Sequence, residues 1–151
     1  LNYQELIHEC EESGVTVEEY PLQSHDGLYC NNLILINQSL GDNTAKKCIL
    51  AEELGHHFTA TQNILDQSIV TNRKEERLGR IWGYNKLIGL YGIIHAYRNK
   101  CQNLYDTADY LGVTTEYLQE AISHYRSKYG VCTKIGYYLI HFEPYLEVEL
   151  L

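Results

Sequence analysis

The sequence predicts an α+β fold, mainly helical, with a small N-terminal antiparallel sheet. Three observations carry that expectation. Between residues 15 and 36, short apolar runs alternate with the turn signals Pro21, Asp26-Gly27 and Asn31-Asn32. From Asp42 to about Tyr129 the apolar residues fall at helical spacing. No repeat, low-complexity stretch or linker interrupts the chain, so residues 1–151 read as a single domain. Within it, 1–89 holds the sheet and the site-bearing helices, and 90–151 forms a helical annex with an extended tail.

Residues 2–13 read as a helix with Leu6, Ile7 and Cys10 on its apolar side, stopped by Gly14. Val15 to Tyr20 reads as extended and ends at Pro21. Asp26-Gly27 turns the chain into Leu28–Cys30, and Asn31-Asn32 turns it again into the apolar strand Leu33-Ile34-Leu35-Ile36. Helices are expected near 43–60, 72–89, 90–99, 104–111 and 115–128. The last stretch, Ile135 to Leu151, is aromatic and apolar with Pro144, and is expected to be extended and packed on the body.

Composition narrows the function classes. At 44 % hydrophobic and 21 % charged residues, the chain reads as a soluble globular protein. Its apolar runs fall far short of the ~20 residues that span a bilayer, so no membrane partner is expected. No N-terminal stretch joins basic residues to an apolar run, so no signal peptide is expected. A net charge of −8 argues against a broad nucleic-acid surface, which needs clustered Lys and Arg. The densest basic group, Arg73, Lys74, Arg77 and Arg80, is interleaved with Glu75 and Glu76 and reads as a solvated helix face. The five cysteines are odd in number, scattered and free of any C-x-x-C pair. They read as buried free thiols, which points to the reducing cytoplasm.

The chemistry is concentrated in Cys48-Ile-Leu-Ala-Glu52-Glu53-Leu-Gly-His56-His57-Phe58. At 100° per residue, Leu50, Leu54 and Phe58 form an apolar stripe, with Glu52, Gly55 and His56 roughly opposite and Glu53 to the side. Drawing two carboxylates and an imidazole inside a fold costs several kcal/mol each unless a counter-charge is supplied. A divalent cation supplies it. Positions i and i+4 share a helix side, so Glu52 and His56 can grip one ion while Glu53 reaches a neighbouring water. This is the geometry of the H-E-x-x-H zinc helix with Glu in place of the first His. Zn²⁺ accepts carboxylate oxygen at about the distance of imidazole nitrogen, although the more anionic site acidifies its water less. Glu76 is the third expected ligand. Gly79 and Gly83 lie at i+3 and i+7 from it, a bare strip that lets two helices approach.

Other readings of these residues stand beside this one. A salt-bridged surface helix explains E-E-L-G-H taken alone. His57 reads as a supporting or surface residue, yet Glu53 and His57 are also four apart and allow a shifted register. Cys48, one turn before Glu52, reads as a packed thiol but is a competing ligand by position.

Three segments together resemble the ImmA/IrrE family of metallo-endopeptidases of phages and integrative elements. They are Leu50-Ala51-Glu52-Glu53-Leu54-Gly55-His56-His57, then Glu76-x-x-Gly79-x-x-Trp82-Gly83, then Tyr105-x-x-Ala108-x-x-Leu111-Gly112-Val113. The resemblance covers nearly the whole chain. The common family pattern is H-E-x-x-H followed by E-x-x-A-x-x-F/W-A; here Glu52 replaces the first His and glycines replace both alanines. The resemblance implies a zinc-helix metallopeptidase core with His56 and Glu76 as zinc ligands, Glu52 in the first ligand position and Glu53 as general base. It also implies a protein substrate, a helix-turn-helix repressor whose cleavage switches on a prophage or other mobile element.

Residues 105–125 have the rhythm of a helix-turn-helix, but the second helix opens Thr114-Thr115-Glu116 and offers Gln119 and Glu120 where DNA binding asks for Lys or Arg. An acidic first turn suits the helix dipole and repels phosphate, so packing or a protein surface is expected instead. For the oxyanion donor, Tyr84, His95 and the tail tyrosines are all candidates. The rival to a zinc peptidase is a non-catalytic, metal-binding interaction module that regulates a repressor by stoichiometric binding.

Overall fold

The computed structural model describes residues 1–59 and 69–151, with side chains from residue 73 onward in the second stretch. The expected end of the 43–60 helix at residue 60 lies outside the described residues. The fold is mixed α+β, with six helices and six strands among the described residues. The chain divides into two compact units, Leu1–Lys86 and Leu87–Leu151. No described helix is long and apolar enough to cross a membrane.

The first unit opens with α1 (Tyr3–Glu12). The Asn2 side chain accepts the Glu5 backbone N–H at 2.8 Å, which satisfies one of the donors a helix start leaves open. Tyr3, Leu6 and Cys10 form its buried stripe. Ile7, expected on that stripe, is only half-buried, one residue off the inward line. Gly14, at φ +80°, ends the helix in a conformation that costs a residue with a Cβ.

Three strands follow: β1 (Thr16–Tyr20), β2 (Gly27–Cys30) and β3 (Leu33–Asn37). Asn31 and Asn32 both have positive φ, 48° and 64°, the twist that joins β2 to β3 as a tight hairpin. The sheet order is β1-β3-β2, and β1 runs parallel to β3. The wholly antiparallel sheet expected from the sequence is therefore a mixed one. Residues 21–26 carry the chain past the place β3 will fill, so β3 inserts between its two predecessors. Along β3 burial alternates, with Ile34 and Ile36 fully inside.

Helix α2 (Asn43–Thr59) begins where Asp42 accepts the Ala45 N–H at 2.9 Å, and it lies over this sheet. Leu50, Ala51 and Leu54 are buried, but Phe58 leaves the expected apolar stripe and is 50 % exposed. Helix α3 (Ile69–Leu87) closes the first unit, and Lys86 reaches Glu9 of α1 at 2.9 Å.

The second unit contains α4 (Gly89–Arg98), α5 (Leu104–Leu111) and α6 (Thr115–Tyr129). Asn103 and Thr114 cap the last two through the N–H groups of Asp106 and Tyr117. Gly112, in the left-handed region, makes the turn between them. The tail is extended as expected, but it is organised: β4 (Cys132–Ile135), β5 (Tyr138–His141) and β6 (Glu147–Leu150) form an antiparallel sheet in that order. Ile93, Leu118, Ala121, Tyr125, Ile140 and Phe142 make its core.

None of the five cysteines forms a disulfide among the described residues. Cys10 and Cys48 are buried as expected, whereas Cys30 and Cys132 are exposed. Both exposed thiols lie on strands where burial alternates, at positions on the outward side.

Candidate metal centre

Helix α2 does different work on each side. Residues 49, 53 and 57 repeat every four and lie along β2. A Cβ on Gly27 would sit 2.6 Å from Ile49 Cγ2 and 3.0 Å from Glu53 Cγ, so only glycine lets the strand come this near. Two residues further on the same strand face, the Tyr29 hydroxyl and His57 Nδ1 share a hydrogen bond of 2.7 Å.

The next side of α2 faces α3. A Cβ on Gly55 would overlap the Gly79 carbonyl oxygen and lie 2.9 Å from its carbonyl carbon. A Cβ on Gly79 would lie 2.6 Å from His56 Nδ1. The two helices therefore meet backbone to backbone at paired glycines, with the imidazole edge of His56 laid against bare Cα. On the other flank of this seam, Phe58 stacks on Trp82 with ring centroids 5.2 Å apart.

At this contact the expected ligands converge. Donor atoms of Glu52, His56 and Glu76 all lie within 4.8 Å of one another. His56 Nε2 is 3.3 Å from Glu76 Oε2, and the other Glu76 oxygen is 4.0 Å from Arg80 one turn later. A tetrahedral ion with bonds of roughly 2.0–2.1 Å sets neighbouring donors about 3.4 Å apart. The His56–Glu76 separation matches that edge. One imidazole and two carboxylates are a donor set for a divalent cation, and this group could hold a metal ion.

Glu53 lies beside the cluster and only 9 % of it is exposed. Burial pushes its carboxyl up to about 8, and repulsion from Glu52 and Glu76 adds to the rise. Three carboxylates lie around one imidazole, with Arg80 reaching only the outer oxygen of Glu76, and a divalent ion among them would offset their negative charge.

The structure thus brings together Glu52, His56 and Glu76, with Glu53 adjoining them on α2. His57 is turned to Tyr29 and stands outside the cluster, as does the buried Cys48. Tyr84 is buried at 6 % exposure, and His95 belongs to the second unit. Sequence reasoning identified Gly79 and missed its partner Gly55. It also missed Gly27 and Tyr29, whose roles depend on helix residues more than twenty positions further along the chain, Ile49 and Glu53 for the one and His57 for the other. The signal for Gly55 was present: a glycine inside a helix beside a ligand position costs ~1 kcal/mol and asks for a close neighbour. Comparison with family models, characterised proteins and solved structures gives no match to this chain.

Proposed function

We propose that the chain is a zinc-dependent endopeptidase that cleaves a helix-turn-helix repressor and so relieves repression of a mobile element. The observation that supports this most is the convergence of Glu52, His56 and Glu76 from two helices within 4.8 Å. The metal reading rests on that geometry; the repressor substrate rests on the resemblance to the ImmA/IrrE family.

Glu52, His56 and Glu76 would hold the zinc, and three protein donors would leave room for a water or a substrate oxygen, as catalytic zinc requires. When bound, zinc supplies polarisation of a scissile carbonyl and acidification of a water. Glu53 takes a proton from the attacking water and passes it to the leaving amine. Its enclosure against Gly27 keeps bulk water off the carboxyl, and its raised affinity for protons suits it to hold one between the two steps. Gly55 and Gly79 hold Glu76 near His56, and the His57–Tyr29 hydrogen bond holds β2 along the same helix.

A second reading is favoured by one feature, the carboxylate at position 52 where the family pattern has histidine. The extra negative charge makes the site a weaker activator of water, which suits a metal-binding module that regulates its partner by binding alone. Glu53→Gln separates the two. The substitution preserves shape and removes the proton acceptor, so the variant is expected to keep its fold and zinc while losing cleavage of the repressor encoded beside it. Equal relief of repression by wild type and Glu53→Gln, with the repressor intact, rejects the peptidase in favour of the module.

A further inference from the structure

Helix α2 is held from two directions, and the two supports reach different groups. The glycine contact with α3 lies against His56, which stands 3.3 Å from Glu76. Strand β2 lies instead against Ile49, Glu53 and His57. Its backbone at Gly27 is a wall for the Glu53 side chain: a Cβ there would sit 3.0 Å from Cγ and 3.4 Å from Oε1. A glycine, however, has nothing to lodge between the side chains of a helix. It sets how near the strand comes and leaves sliding along the helix open.

Tyr29 supplies the register. From Gly27 to Tyr29 the strand advances ~6.6 Å, at ~3.3 Å per residue. From Glu53 to His57 the helix advances ~6 Å, at ~1.5 Å per residue. Strand and helix therefore climb in step, with Gly27 at Glu53 and Tyr29 one turn further on at His57. There the Tyr29 hydroxyl and His57 Nδ1 share their 2.7 Å hydrogen bond, and the two rings meet edge to face with centroids 5.5 Å apart. Apolar contact tolerates a slip of the helix along the sheet, whereas a hydrogen bond depends steeply on distance and angle. The bond also occupies Nδ1 of His57, in keeping with its place outside the metal cluster.

We propose that Tyr29, acting through His57, is a positioning residue for the peptidase reaction: it locks α2 against β2 so that the wall at Gly27 keeps the Glu53 carboxyl aimed at the attacking water. This rests on the peptidase reading of the site. When the lock is lost, the wall slips along the helix and the Glu53 side chain gains conformations that point away from the water. The His56–Glu76 pair, set by the seam between α2 and α3, is left as it is. The two supports therefore fail separately. Loss of the strand lock costs turnover and spares zinc, whereas loss of the Gly55–Gly79 contact costs zinc.

The test is steady-state cleavage of the purified repressor encoded beside this chain, by zinc-loaded wild type, Tyr29→Phe, His57→Phe and the double variant. Zinc affinity is measured in parallel by competition with a fluorescent chelator. Tyr29→Phe keeps the ring and removes only the hydroxyl. It is expected to lower kcat roughly tenfold or more, the scale of a misplaced reacting group, with KM and zinc affinity within about twofold of wild type. His57→Phe is expected to do the same, and the double variant to be no worse than either single one, because the two residues act through one bond. Should one single variant fail to fold, the other carries the same test. Wild-type kcat in Tyr29→Phe overturns the proposal. Loss of zinc in step with turnover also overturns it, because the strand then supports the metal site and not the base. Additive losses in the double variant overturn the route through His57. Absence of cleavage by wild type rejects the peptidase reading itself, and the proposal falls with it.

Discussion

Replacing Gly55 by alanine puts a methyl group inside the contact between α2 and α3. The new Cβ would lie 2.9 Å from the Gly79 carbonyl carbon and 3.0 Å from its Cα, against about 3.5–4.0 Å for a relaxed carbon contact. Both partners are backbone, so no side-chain rotation relieves the overlap, and the helices must separate by roughly 0.5–1 Å. Stability records two opposing effects. Overpacking costs ~1–3 kcal/mol, and alanine returns ~1 kcal/mol of helix propensity, so the net loss is about 0–2 kcal/mol. The metal site is hit harder. His56 Nε2 and Glu76 Oε2 start 3.3 Å apart, and moving Glu76 outward by that step takes it beyond the edge of a tetrahedral zinc. The expected result is a folded protein whose zinc affinity drops ~10–100-fold, the range seen when the supports of a metal ligand are disturbed. Competition with a fluorescent zinc chelator measures the affinity, and thermal melting of the metal-free protein measures the fold. Wild-type zinc affinity in Gly55→Ala would refute the reasoning, since the helix separation then does not govern the site.

Three further expectations follow. Glu52→His, which restores H-E-x-x-H, is expected to keep zinc through dialysis against a mild chelator, whereas Glu52→Ala is expected to lose it; firm retention by the alanine variant removes Glu52 from the ligand set. Lys47 is 3 % exposed, and burial holds its ammonium below the usual lysine range while it donates to the Leu1 carbonyl at 2.9 Å. The folded chain thus binds fewer protons there than the unfolded chain, so this group adds stability as pH rises through the lowered value toward the ordinary one. Lys47→Met is expected to raise the melting temperature at pH 7 by ~2–4 °C, equivalent to about 1 kcal/mol, and to flatten the alkaline rise; a lower melting temperature with the rise intact counts against this. In the native protein a thiol reagent is expected to label the exposed Cys30 and Cys132 first, with Cys10 and Cys48 reacting only on unfolding. Cys10 has a second reason to be slow, because burial pushes its thiol up to about 11. Rapid labelling of Cys10 contradicts the packing of α1.

The helices were legible because their evidence is local. A period of three to four residues and the stop at Gly14 lie in short windows, and the caps that the structure adds at Asn2, Asn103 and Thr114 are equally local. The candidate pair Glu52 and His56 was legible for the same reason, and Glu76 because Gly79 advertised a close approach. What escaped depends on distance along the chain. Whether β1 pairs parallel or antiparallel is decided by where β3 inserts, after both earlier strands are laid down. The C-terminal sheet consists of four-residue strands rich in residues that also suit a packed coil, and its reversal at Gly136 lies in a run of apolar and aromatic neighbours that masks it. Tyr29 meets His57 across 28 residues, and nothing near either residue announces the other.

Helix α2 carries a consequence for how this protein can vary. Between Lys47 and His57 it has almost no idle surface: Leu50, Ala51 and Leu54 are inside, Ile49, Glu53 and His57 lie along a strand, Gly55 touches another backbone, and Glu52 and His56 share a cluster. A substitution in this stretch is therefore constrained from more than one direction, and changes of volume, charge or backbone freedom are each met by a different neighbour. Diversification of the molecule has to be taken up elsewhere, on the open faces of α5 and α6 and on the outward side of the C-terminal sheet, where Tyr105, Gln119 and Lys134 stand exposed.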